Sequence, residues 1–313
     1  MLQIRRSTDS PHRVPHTADI VPPAVLFCQA VRLRVPMEIR SAALYPLSGL
    51  AELLTAGFAG YVIPMKMSAD ALAERVANED IDLALSRVVV RAGEELGLAL
   101  IARRGRESRL AAMGIRAEAR SAGAGRFLLA HVLRDARQRG ERRMRLEVFE
   151  SNAPARALYE GSGFTVVRRL IGYECAKPAT AAAAFRLDEL DPAEFSRQLA
   201  LVTAPAALPW QLEPATLSSP PRSARCFALE NKSFVYVSGV TENAVSIRGV
   251  LTLPSERRKG HARRMLNGLS AMFPDRALSV PALLPEGLAA PFFSAMGFAP
   301  VDLAQIEMSL DLV

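Results

Sequence analysis

The stretch RSAGAGRFLLA, Arg120 to Ala130, puts two glycines into the opening turn of what otherwise reads as an apolar, helix-periodic segment. Each glycine in a helical turn costs about 1 kcal/mol relative to alanine, so the pair asks for a use that offsets it. Downstream, Leu128, Leu129, Val132, Leu133 and Ala136 share one face until Gly140, which predicts a helix from Ser121 to about Gln138. Upstream lie three strand-like runs, ALSRVVVRAG, ELGLALIARRG and SRLAAMGIRA, separated by glycine-containing or charged turns as in an antiparallel meander. A strand, a short turn and a glycine-opened helix leave unpaired backbone N–H groups at the positive end of the helix dipole. With no Cβ at Gly123 or Gly125 a diphosphate can rest on those N–H groups, and Arg120 adds a charge-assisted contact. Close packing of the helix start on a sheet accounts for the same glycines, and on this stretch alone it is the plainer account.

Two phosphate motifs are excluded. There is no G-x-x-x-x-G-K-[ST], and a dinucleotide G-x-G-x-x-G would need a third glycine where Leu128 stands.

Working outward, EIRSAAL after Met37 reads as a first strand, and PLSGLAELLTAGFAGY and SADALAERVANED read as helices. The second has Ser68 as N-cap and a stripe through Leu72, Val76 and Ala77. Residues 1–36 are rich in proline and arginine without any period and read as an extended or disordered arm, so folded structure is expected to begin near Met37. A length of 313 residues suits two domains. No apolar run is long enough to cross a bilayer. Cys28, Cys175 and Cys226 are odd in number, far apart and without C-x-x-C or histidine companions, which argues against a disulfide framework or a metal site and fits a reducing cytoplasm. The net charge of +7 is carried by arginines spread through every segment, with no helix-turn-helix, RNP or zinc-finger pattern, so a nucleic-acid groove is not indicated.

The next segment, RRMRLEVFESNAPARALYEGSGF from Arg142 to Phe164, is a strand with Met144, Leu146 and Val148 on one face, then Asn152 near a helix start, then a helix closing on GSGF. With it the chain resembles the GNAT superfamily of acetyl-CoA-dependent N-acetyltransferases. In that family [QR]-x-x-G-x-[GA] at a helix N-terminus is followed by L-x-V on a strand, an asparagine, and L-Y-x-x-x-G-F on a helix. Here these are Arg120, Gly123 and Gly125, then Leu146 and Val148, Asn152, and Leu158, Tyr159, Gly163 and Phe164.

The resemblance implies an α/β (α+β) fold, a twisted, mixed and mainly antiparallel sheet flanked by helices, with acetyl-CoA as cosubstrate between two splayed strands. The diphosphate would lie on the N–H groups of Ser121, Ala122, Gly123, Ala124, Gly125 and Arg126, with the Arg120 guanidinium beside them. The pantetheine amides would pair with Met113, Gly114 and Ile115 as an added strand does, and Asn152 would bind the coenzyme arm. Tyr159 is the expected acid toward the departing thiolate, and Glu147, on the strand face opposite Leu146 and Val148, the expected base, directly or through water. The same L-E-V strand with a tyrosine twelve residues on occurs in the ribosomal-protein alanine N-acetyltransferase branch. An ordinary exposed strand glutamate and a core-packing tyrosine are the plainer alternatives for the two.

Beyond a linker, AKPATAAAAF, the pattern partly returns. RGVLTLPSERRKGHARRMLNGL sets Arg257, Gly260 and Ala262 in the same positions, and AAPFFSAMGF echoes the last helix. This is a second, degenerate copy, which predicts domains at 37–178 and 179–313. Phe293 replaces the tyrosine, Ser279 the glutamate, and no asparagine follows, so the copy is expected to be catalytically silent, with some coenzyme affinity left in Arg257, Arg258 and Lys259, and to cover a sheet edge or wall the acceptor site. The acceptor amine is unread; Phe58, Tyr61 and Met65 suggest a partly hydrophobic entrance. A CoA-binding protein without turnover is the alternative function.

Overall fold

The apolar runs of both halves join a single sheet of thirteen strands among the described residues, which in this computed structural model are 35–61, 65–176, 186–203 and 208–313. The expected arm and the expected domain boundary at 178/179 lie outside them, apart from the arm's last two residues, Val35 and Pro36. The first half contributes β1 (Met37–Ser41), α1 (Leu47–Gly57), α2 (Ala69–Asn78), β2 (Arg87–Arg91), β3 (Glu94–Arg104), β4 (Glu107–Ile115), α3 (Ala124–Gln138), β5 (Arg143–Phe149), α4 (Ala153–Glu160) and β6 (Thr165–Cys175). The second contributes β7 (Asp188–Leu190), α5 (Pro192–Val202), α6 (Pro214–Leu217), β8 (Arg225–Leu229), β9 (Ser233–Val240), β10 (Ala244–Thr252), α7 (His261–Met272), β11 (Ala277–Pro285), α8 (Ala290–Ala295), β12 (Ala299–Pro300) and β13 (Gln305–Asp311).

The strand order is β1-β2-β3-β4-β5-β13-β6-β11-β10-β9-β8-β7, with β12 on β6. Every neighbouring pair is antiparallel except β4 with β5 and β10 with β11, one parallel pair in each half. The halves trade strands. β13, the last in the chain, lies between β5 and β6 of the first half, while β6 runs on to pair with β11 of the second. Ile306, Met308 and Leu312 thereby enter the core formed by β2 to β5 with α3, beside Leu128, Val132, Leu146 and Val148.

Helices cover both faces of the first half. α3 packs its predicted stripe on one face; α1 and α2 pack Leu50, Leu54 and Leu72 on the other, where Trp210 of the second half joins them. Ser68 caps α2 as expected, accepting from the Ala71 N–H at 3.1 Å. α3 begins three residues later than expected: Ala117–Ala122 form a 3₁₀ turn, and Gly123 at φ 82° breaks it from the helix that opens at Ala124. The described helices include none long and apolar enough to cross a membrane.

Candidate active site

β4 and β5 pair only across Glu107–Leu110 and Arg143–Leu146. A register shift in β4 follows Leu110, and from Ala111 to Ile115 the edge that faced β5 has no strand partner among the described residues. The opening ends on α3, whose N-cap Gly123 offers no side-chain cap, so the first N–H groups of the helix have no acceptor within it. Between them lies a cavity of about 600 Å³ lined by Met113, Ile115, Arg120, Ser121, Gly123, Gly125, Arg126, Asn152 and Tyr159, with Phe58 and Tyr61 at the end of α1.

Each expected residue has its place. The Ala122 and Ala124 side chains leave the cavity, one exposed and one buried in the core. Gly114 faces α1: a Cβ there would come within 3.2 Å of the Gly57 Cα, and one on Gly57 within 2.8 Å of Gly114, so helix and strand meet backbone to backbone. Gly125 has the opposite surroundings. A Cβ would find Leu158 and Met113 at 3.5 Å and Ile115 at 3.6 Å, ordinary contact distances on the cavity wall.

Arg120 does different work from the expected phosphate contact. It donates Nε to the Ile115 carbonyl at 3.0 Å and Nη2 to the carbonyls of Gly57 (3.0 Å) and Ala59 (2.8 Å), tying α1 to the end of β4. Of the two arginines that line this cavity, Arg126, exposed at its rim, makes no hydrogen bond or ion pair with the described residues. Asn152 is the N-cap of α4, accepting from the Ala155 N–H at 3.3 Å. Its side chain also meets the Tyr61 hydroxyl, whose pKa burial pushes up while Asn152 and the Phe149 backbone pull it down. Met65 packs on the α1–α2 core instead of lining the cavity.

Tyr159 lies in the cavity wall, 7 % exposed, with its ring 5.9 Å from Phe164. Burial, and then Tyr61, push its pKa well above the ordinary phenol value, so it keeps its proton across the neutral range. Its hydroxyl makes no hydrogen bond among the described residues.

Glu147 is outside the lining. Alternation sets it opposite Leu146 and Val148 as expected, yet its side chain is only 2 % exposed, because the Trp210–Thr216 segment of the second half closes that face. Glu147 Oε2 accepts from Arg109 at 2.7 Å and from Gln211 Nε2 at 3.2 Å, and Oε1 is buried without a partner. Arg109, itself 2 % exposed, also holds Glu79 at 2.6 Å. Burial pushes Glu79 up, but Arg75 and Arg109 outweigh it and bring its pKa to about 2. Trp210 is stacked by Arg104 at 4.1 Å and donates to the Glu79 carbonyl at 3.0 Å. Arg109 and Trp210 were missed from sequence, although an arginine on the inward phase of the apolar run SRLAAMGIRA and the lone tryptophan in LPWQLEP were both visible.

A parallel pair that splays onto an uncapped, glycine-opened helix is an opening of the shape and polarity to receive an extended, anionic ligand between two strands of a mixed sheet. Residues 66–164 match the model of the acetyltransferase (GNAT) family, and the chain carries a GNAT acetyltransferase domain over that segment. The fold of both halves together is that of tandem GNAT proteins. The tandem GNAT protein from the clavulanic acid biosynthesis pathway superposes with a TM-score of 0.63 at 14% identity, over 89% of this chain and 99% of that one. A GCN5-related N-acetyltransferase from Sphaerobacter thermophilus gives 0.64 at 14% identity, over 88% and 96%. A putative acetyltransferase from Pyrococcus horikoshii gives 0.60 at 15% identity, over 88% and 89%. No curated protein matches the chain in sequence.

Proposed function

We propose that the chain is an N-acetyltransferase that moves an acetyl group from acetyl-CoA to a primary amine of a small molecule, peptide or protein. The observation that carries this is the junction of the open β4 edge with the uncapped start of α3 in one cavity that also holds Tyr159. The residues present suit the coenzyme. N–H groups from Gly123 to Arg126 with the Arg126 charge would hold a diphosphate, and the edge around Met113 to Ile115 would take the pantetheine amides as a further strand. Acetyl-CoA supplies the acyl group as a thioester.

Tyr159, protonated and free of internal hydrogen bonds, donates its proton to the leaving sulfur. Glu147 receives the amine proton through water at Oε1, its Oε2 being engaged by Arg109 and Gln211. Arg120 and Asn152 are positioning residues, one fixing α1 and the other starting α4. Buried free thiols at Cys175 and Cys226 support a cytoplasmic setting.

The test is a thiol-release screen with acetyl-CoA over polyamines, aminoglycosides, amino acids and peptides. The engagement of Glu147 by Arg109 favours one second reading, a CoA-binding protein without turnover. It predicts calorimetric binding of acetyl-CoA with no thiol released by any amine.

A further inference from the structure

The second half has its own splayed pair, furnished differently. β10 and β11 pair across Ala244–Ser246 and Ala277–Ser279 and then part around a cavity of about 410 Å³. Leu199, Val202, Leu251, Leu284, Phe292 and Phe293 dominate its wall among the described residues. The start of α7 keeps the uncapped, left-handed glycine of the first site, Gly260 at φ 82°, but adds an acid beside it. Glu256 stands beside the start of α7, its carboxylate 3.2 Å from His261 Nε2 and 3.3 Å from Lys259, so a diphosphate would meet a negative charge already in place.

The charge lies deeper. Arg248 lines the cavity at the register irregularity of β10 and makes no hydrogen bond or ion pair among the described residues; its Nε is shut from solvent with no acceptor. Burial brings its pKa below the ordinary arginine value, with Glu79 and Tyr236 acting through space to raise it and Arg109 to lower it. A largely desolvated guanidinium with no carboxylate within hydrogen-bond reach is costly, and a carboxylate forming two charge-assisted hydrogen bonds removes the cost. Arg257, the other cation in the wall, is tied by Nε to the Thr252 carbonyl at 3.3 Å.

We propose that this second cleft binds an amphiphilic carboxylic acid, its carboxylate on Arg248 and its unbranched apolar chain along the leucine and phenylalanine wall. A volume of about 410 Å³ takes a chain of roughly ten carbons, at on the order of 30 Å³ for each heavy-atom group. The site is independent of acetyl transfer in the first half.

Isothermal titration of the full chain with decanoate, decanol and acetyl-CoA tests it. Decanoate is expected to bind one to one, with decanol about tenfold or more weaker, since it cannot form the charged pair. Arg248→Met should weaken decanoate by about the same factor, Arg248→Lys should restore part of it, and Val250→Trp, which fills the cavity and spares the charge, should abolish it. Retained acetyl-CoA binding in each variant shows that the fold has survived. The proposal is overturned if decanoate does not bind the parent chain, if decanol binds as well as decanoate, or if Arg248→Met and Val250→Trp both leave decanoate affinity unchanged. It is equally overturned if acetyl-CoA binds at two sites and Val250→Trp removes one, because the coenzyme would then be the occupant.

Discussion

Gly125→Ala separates the two explanations of the glycine pair in RSAGAGRFLLA. The added methyl meets Leu158, Met113 and Ile115 at 3.5 to 3.6 Å, so nothing has to move. It lies in the first turn of α3, where alanine is favoured over glycine by up to about 1 kcal/mol. The variant should therefore melt higher, by about 1–2 °C for a chain of this size. Acetyl-CoA should bind within about threefold of the parent, because the pattern [QR]-x-x-G-x-[GA] takes alanine at this position and the methyl, directed at Leu158, Met113 and Ile115, leaves the uncapped N–H groups bare.

Gly123→Ala is the control with the opposite sign. Its Cβ has nothing within 4 Å, but at φ 82° an alanine costs about 1–2 kcal/mol, so this variant melts lower although its side chain touches nothing. Differential scanning calorimetry and isothermal titration with acetyl-CoA read both quantities. If Gly125→Ala melts lower, the glycine serves packing; if acetyl-CoA binds neither the parent nor this variant, the diphosphate assignment is wrong.

Four further outcomes are expected. Tyr159→Phe should lower kcat by about a hundredfold or more with Kd for acetyl-CoA unchanged, read by thiol release against calorimetry; equal kcat would remove the tyrosine from the chemistry. Glu147→Gln leaves Arg109 with one carboxylate in a buried site and should destabilise the chain by about 3 kcal/mol, whereas Arg109→Met combined with Glu147→Leu should cost less; a more damaging double variant in urea melts would refute the ion-pair account. Glu79 has a folded pKa near 2 against an ordinary 4.5, so its contribution is complete above pH 4.5, is lost as pH falls toward 2, and should shrink the acid-unfolding slope in that window when Glu79 is replaced by Gln. A chain ending at Ala176 loses Ile306, Met308 and Leu312 from the first core, about 1.5–3 kcal/mol each, which together rival the whole stability of a domain; a soluble, cooperatively melting fragment would count against the traded strand.

The strands and helices around RSAGAGRFLLA were legible because their apolar periods were clear and because glycine, serine and asparagine marked the helix starts at Gly123, Ser68 and Asn152. The role of Arg120 was not. A guanidinium before a glycine loop reads as a phosphate ligand, and only the backbone approach of Gly57 to Gly114 brings three carbonyls within its reach. Glu147 was placed on the right strand face, but sequence alternation says which face and not what covers it. The cover is a segment more than sixty residues downstream, held by Trp210 to the Glu79 carbonyl and by Glu213 to Arg104 and Arg145. The trade of β13 for β6 left no local signal either, since IEMSLD is as good a strand beside β5 as beside β11.

That trade explains why a half lacking the tyrosine, the glutamate and the asparagine remains attached to one that has all three. β5 carries Glu147, and its partner on the side away from β4 is β13 in full register, with Glu307 directly across from Glu147. Two carboxylates side by side on one face repel each other unless cations separate them. Arg109 holds the first; Arg168 and Arg145 hold the second, and Glu213 and Trp210 of the same second half fix Arg145 in turn. The charge balance around the expected base is therefore assembled from both halves, and the second can lose its own chemistry only as long as its strand and its tryptophan segment stay where they are.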